Sequence, residues 1–311
     1  MAQPQLILHQ YDISPFSQKA QKMMGLKGVA WRSVEMPLIA PKPDVEALTG
    51  GYRGTPVLQI DADVFVDNWM IAQALDWHVH EGHALNRRGE LGHAALYAWS
   101  ERFFAPLLHS ALATYQAQWD AAFLADRKQV FPEVNFDALS EDDPERRSQV
   151  RAFLGTLARH LARGSDFVGG EHPDSWDVHA WGMLWMIHSA LPDLMPIVEQ
   201  FASVVSWYQR MLDLGVGERE DVSIDVAWDA LKTGNRMVLP ETPAAEPLAE
   251  WVGSSVSIST GSADRGVSSG VLLAIDDAQA VIAVQPQTDT LAHVWFPRLG
   301  CLLYTSPSPR D

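Results

Sequence analysis

The sequence predicts an α/β domain, then an all-helical domain, then a small β-rich module. Three observations carry that reading. Over about the first 84 of 311 residues, short apolar runs alternate with capped segments of helix length. From residue 89 the apolar spacing changes to i, i+3, i+4, the period of a helix face. After Pro240 the chain becomes proline-rich and then β-rich. The expected boundaries are 1–84, 89–238 and 250–300, followed by a tail at 301–311.

The elements follow in order. Residues 5–9 (QLILH) make a short apolar run that suits a buried strand. Ser14-Pro15 opens a helix, because Ser caps well and Pro is favoured at the first helical position; Gly28 stops it. A second strand lies near Val29–Val34, and a loop with Pro37, Pro41 and Pro43 comes next. Thr55–Ile60 and Val64–Val66 read as strands joined by the turn Asp61-Ala62-Asp63. Asn68 is placed to cap a helix from Trp69 to about His80, with Gly82 at its end. The order is βαβ followed by ββα, for which a thioredoxin-like fold is the simplest solution.

Leu96, Trp99, Phe103 and Leu107 mark the inward stripe of a long helix beginning near residue 89. Residues 120–143, acidic and broken by Pro132, read as a loop or broken helix. Asp143-Pro144 starts another helix that ends at Gly164. In Pro173-Asp174-Ser175-Trp176-Asp177, Asp174 caps and Asp177 takes the capping-box position. Residues 198–213 form one more helix. Pro240, Pro243 and Pro247 lie in a linker-like stretch, beyond which VSIST, GVLLAI, AVIAVQ and LAHVWF suggest about four strands. The final CLLYTSPSPRD does not continue that pattern. It resembles translated adapter sequence, so the natural last strand is expected to be missing and this tail poorly packed.

Composition excludes several function classes. A net charge of -16 repels nucleic acid and anionic lipid alike, so neither is an expected partner. No basic segment leads into a long apolar stretch at the start, and no apolar run spans a bilayer. The single cysteine, Cys301, excludes an internal disulfide and suits a reducing, cytoplasmic setting.

Four stretches support a family resemblance. YDISPFSQKAQKMMGLKG resembles the first βα turn and helix of glutathione S-transferases, and LTGGYRGTPVLQI resembles their strand entered through a cis-proline. DVFVDNWMIAQALD resembles the turn that holds the γ-glutamyl end of glutathione, and PDSWD the capping signature of the family's helical domain. The resemblance covers residues 5 to about 215. It implies a thioredoxin-like glutathione-binding domain, a helical domain, glutathione as co-substrate, a detoxifying conjugation and a homodimer.

The chemistry sets out what each residue must do. A free thiol has a pKa near ~8.5, and only its thiolate attacks well. A helix N-terminus favours an anion, and a hydroxyl placed there donates to sulfur; lowering the pKa by ~1.5–2 units takes about 2–3 kcal/mol. Ser14 is at that location, and the resemblance makes it the catalytic hydroxyl. Ser17, at the far end of Ser14-Pro15-Phe16-Ser17, stands where redox relatives carry a second cysteine, so dithiol exchange is not available. The resemblance puts the Thr55-Pro56 bond in cis and the Thr55 main chain against the cysteinyl backbone of glutathione. Asp67-Asn68 departs from the acidic-Ser pair common in the family. Asn68 would donate to the γ-glutamyl carboxylate, and Asp67 would pair with the ammonium. Lys42 and Arg53 are the candidates for the glycyl carboxylate. Phe16, Trp99, Phe103 and Phe104 are the candidates for an electrophile pocket between the domains, which takes a small hydrophobic electrophile.

His78, His80 and His83 do not make a metal site, because positions 78 and 80 of a helix point in different directions and no spaced ligand joins them. P-loop, GxGxxG and GxSxG motifs are absent. A glutathione-conjugating enzyme is therefore the leading expectation. A binding protein on the same fold with little turnover is the alternative.

Overall fold

The apolar run after Gln5 forms β1 (Leu6–Gln10), buried along its whole length. The computed structural model describes residues 4–87, 89–140, 143–260 and 265–305, without the Glu90 side chain. After β1 come α1 (Pro15–Lys27), β2 (Ala30–Glu35), α2 (Pro43–Thr49), β3 (Val57–Ile60), β4 (Asp63–Val66) and α3 (Asn68–His78). β1 pairs parallel with β2 and antiparallel with β3, and β3 pairs antiparallel with β4. This is the predicted thioredoxin-like order with one helix added. α2 occupies part of the stretch read as loop, because Pro43 sits in its first turn, where a missing N–H leaves nothing unpaired.

The chain divides into two units. The first comprises Met1–Ser17, Ala30–Ala74 and Glu218–Asp311; the second comprises Gln18–Val29 and Leu75–Gly217. The second is helical, with α4 (Glu90–Tyr115), α5 (Ala121–Val130), α6 (Pro144–Leu161), α7 (Ser175–Ala190), α8 (Met195–Val198) and α9 (Ala202–Asp213). α4 packs on α6 and α7, and α6 packs on α9. The capping box at Asp174 and Asp177 forms as predicted. Within this unit the buried Lys22 ammonium donates to the carbonyls of Met211 and Gly215, at 2.6 and 2.7 Å.

The first unit is larger than the sequence suggests. After α9, β5 (Glu218–Asp221) pairs parallel with β2, and α10 (Ile224–Thr233) packs Ala227 and Ala230 against Ile7 and Val34. The expected helical domain therefore stops at Gly217 instead of 238. β6 (Ser255–Ser259), β7 (Val267–Ile275), β8 (Gln279–Val284), β9 (Ala292–Pro297) and β10 (Leu302–Thr305) complete the chain.

These last strands do not form a separate module. β9 pairs parallel with β4, which makes one ten-stranded sheet in the order β10-β6-β7-β8-β9-β4-β3-β1-β2-β5. Val45 and Leu48 of α2, Val64 and Val66 of β4, and Ile258, Leu272, Ile282 and Phe296 share one apolar core. Removing that shared surface from water joins the two regions. The tail expectation needs a matching correction. Cys301 is buried, and Leu302–Thr305 pair with β6; residues 306–311 lie outside the described residues. Among the described residues, no helix is long and apolar enough to cross a membrane, and no group of three or more His, Cys, Asp or Glu could hold a metal ion.

Candidate functional site

Strand register gathers the candidate residues at one end of the sheet. His9 lies opposite Val57, Gln10 opposite Glu35, and Val57 opposite Val66. The exit of β1, the entry of β3 and the exit of β4 are therefore neighbours, and Ser14, Pro56 and Asp67 follow or precede them by a few residues.

Ser14 caps α1. Its buried Oγ accepts from the Ser17 amide at 3.3 Å, which leaves the hydroxyl proton to be donated elsewhere. Ser17 is fully buried and its Oγ has no hydrogen-bond partner, so Ser14 is the more accessible of the two hydroxyls. The Thr55-Pro56 bond is cis. Thr55 Oγ1 accepts from Lys42 Nζ at 3.1 Å, and the Lys42 ammonium stands 5.0 Å from the Tyr11 ring centroid. Lys42 is mostly buried, with its charge beside the slot expected for the cysteinyl backbone.

Asp67 and Asn68 exchange their expected duties in part. The N-cap of α3 is Asp67, whose Oδ1 accepts from the Trp69 amide at 2.9 Å. Its φ of 76° holds it outside the helix. Asn68 is inside the first turn and buried. Its amide donates to the Phe16 carbonyl at 3.2 Å, tying α3 to the start of α1, while its Oδ1 is buried without a partner.

Sequence reasoning missed Arg265. Its Nη1 donates to Asp67 Oδ2 at 3.1 Å, and its carbonyl accepts from the Arg53 amide at 2.9 Å. The buried Tyr52 hydroxyl hydrogen-bonds the same guanidinium, and burial holds that phenol well above its usual range. Burial likewise pushes the nearby Cys301 thiol up to about 12, so it is not a nucleophile at neutral pH. Arg265 and Asp67 are 198 positions apart, and no local pattern could have paired them.

Of the aromatic candidates, Phe16 bonds Asn68 through its carbonyl, and Trp99, Phe103 and Phe104 belong to the helical unit. In the helical unit Phe103 is buried and stacks on Phe153 at 3.8 Å between centroids; Trp99 stacks on the same ring at 4.4 Å. Those contacts pack Phe103 within the helical unit. Phe104 is half-buried, as is Phe16 at the start of α1.

A family model described as the N-terminal domain of glutathione S-transferase matches residues 8–82. A crystal structure of a GST-like protein from Pseudomonas syringae is 30% identical, with a TM-score of 0.76, and the match covers 97% of this chain and 99% of that chain. The chain belongs to the glutathione S-transferase family. A Tau class glutathione S-transferase from mango, Mangifera indica L., shares the transferase fold at 15% identity and a TM-score of 0.50, covering 68% of this chain and 92% of that chain. The beta-etherase LigF from Sphingobium sp. strain SYK-6 does so at 13% identity and a TM-score of 0.50, covering 66% of this chain and 94% of that chain. No curated protein sequence matches the chain. The 97% span of the Pseudomonas match takes in the C-terminal strands.

Proposed function

We propose that this transferase binds glutathione at the end of the sheet where β1, β3 and β4 meet, activates its thiol at Ser14, and conjugates it to a small hydrophobic electrophile. The observation that carries the reading is Ser14 itself, a capping hydroxyl whose proton is left for a ligand at a helix N-terminus. There the unpaired amides and the helix dipole favour a thiolate over a thiol. The surroundings suit the rest of the molecule. Glutathione carries two carboxylates and one ammonium, and in a chain of net charge -16 Lys42 bonds Thr55 before the cis-proline while Arg265 pairs with Asp67. Thr55 before the cis-proline leaves main-chain groups for the cysteinyl backbone. Serine in place of a thiol at position 14 favours conjugation over thiol transfer.

A second reading, binding with little turnover, draws on Asn68, whose amide is engaged with Phe16 and not held open for a ligand. Calorimetric titration with glutathione and a chloro-dinitrobenzene conjugation assay separate the two. Saturable binding with turnover supports the enzyme, binding without turnover supports the second reading, and no binding refutes both.

A further inference from the structure

The C-terminal strands bring Arg265 to Asp67, and the local backbone is built to keep it there. Gly266 has a φ of 76°, and a Cβ at that position would lie 2.3 Å from the Gly51 carbonyl oxygen. A Cβ on Gly51 would meet the Val267 carbonyl oxygen at 2.2 Å. Two glycines thus let the start of β7 lie directly on the loop after α2, an approach no side chain permits. The Arg53 amide and Tyr52 hydroxyl then fix Arg265 from both ends, through its carbonyl and its guanidinium.

We propose that Arg265 and Asp67 together form a clamp for the amino-acid head of the γ-glutamyl group. The guanidinium takes the α-carboxylate, and the Asp67 carboxylate takes the α-ammonium. The inference rests on the glutathione reading above and adds a specificity-determining residue to it. A carboxylate and an ammonium on one carbon are the mirror in charge of an Asp–Arg pair. A planar guanidinium presents its donors in a fork that matches the two oxygens of a carboxylate. The pair is not sealed, since the Arg265 side chain is 30% exposed and the Asp67 side chain 13%. It therefore has a face open to a ligand while enough burial remains to strengthen the charge pairing. Asp67 also holds a left-handed backbone conformation that a non-glycine residue adopts at a cost, which is common where a side chain is held for binding. Arg265 supplies the donor that Asn68, engaged with Phe16, does not hold open.

The test compares glutathione with γ-aminobutyryl-cysteinyl-glycine, which lacks only the α-carboxylate. Calorimetry would be run on the full chain, on Arg265→Ala and on Arg265→Gln, the last retaining bulk and polarity should the alanine variant fold poorly. The unaltered protein should prefer glutathione by roughly tenfold or more, as for a charge-assisted contact. Both variants should lose that preference. A preference unchanged in the variants would overturn the clamp and leave the glutathione reading standing. No binding of either peptide by the unaltered protein would overturn the reading itself, and the clamp with it.

Discussion

At Ser14 one oxygen serves two purposes that mutation can separate. Its lone pair accepts from the Ser17 amide, and its proton is available to sulfur. Ser14→Ala removes both, so it should lower stability by about 1 kcal/mol and kcat by roughly tenfold or more. Ser14→Asn keeps a capping acceptor without the hydroxyl; thermal melts should recover while kcat stays low. Asn68→Ala should cost about 1–2 kcal/mol in urea unfolding, because the hydrogen bond to the Phe16 carbonyl is lost, and should weaken glutathione binding by a similar amount as the first turn of α1 loosens. Unchanged stability and affinity would remove Asn68 from the site. Ser14, Thr55-Pro56 and Asp67 were legible in the sequence because each stands at a strand-to-helix or loop-to-strand junction with its own residue signature. The cap at α3 was placed one residue late, since Asp and Asn cap equally well and only the backbone angle of Asp67 decides between them. Arg265 had no local signature at all.

At the scale of elements, the capping box of α7 does more than end a helix. Asp177 is fully buried and accepts from the amides of Val168, Gly169 and Asp174 and from the Trp207 indole, at 2.7 to 3.2 Å. Asp177→Ala should cost about 3–5 kcal/mol, since it strands four buried donors; denaturant unfolding checks this. In the sheet, two buried groups oppose each other with pH. Burial pulls His9 down from 6.5 to about 4, so its contribution is full above 6.5 and is lost as pH falls toward 4. Burial raises Asp63 from 3.8 to about 6, so its folded form gains stability as pH falls through that same window. His9→Gln should therefore remove roughly 3 kcal/mol of acid sensitivity, and unfolding midpoints at about pH 4.5 and 6.5 should differ less in the direction of acid loss than in the unaltered protein. The helices with caps and apolar stripes were readable. β5 was not, because Glu218-Arg219-Glu220-Asp221 is charged and exposed throughout and shows no apolar alternation; its backbone pairs with β2, and Arg219 lies over the Trp31 ring.

At the scale of the molecule, the prolines after residue 240 mark a connection and not a separation. A chain ending at Val238 would leave Val45, Leu48, Val64 and Val66 facing water, so it should show no cooperative melting transition for the thioredoxin-like region. A normal melt would mean that this region folds without β6–β10. Composition revealed the β-rich segment, but its pairing with β4 depends on contacts more than two hundred residues apart, which no short pattern encodes. The proposed function depends on the same assembly, since the sheet sets the position of Ser14 and the C-terminal strands bring Arg265 to Asp67. The most direct measurement is the pH titration of the bound glutathione thiol by its ultraviolet thiolate absorbance, in the unaltered protein and in Ser14→Asn. Activation at Ser14 predicts a thiol pKa lowered from ~8.5 by ~1.5–2 units in the first and restored most of the way in the second. An unshifted thiol, or an equal shift in both proteins, would contradict it.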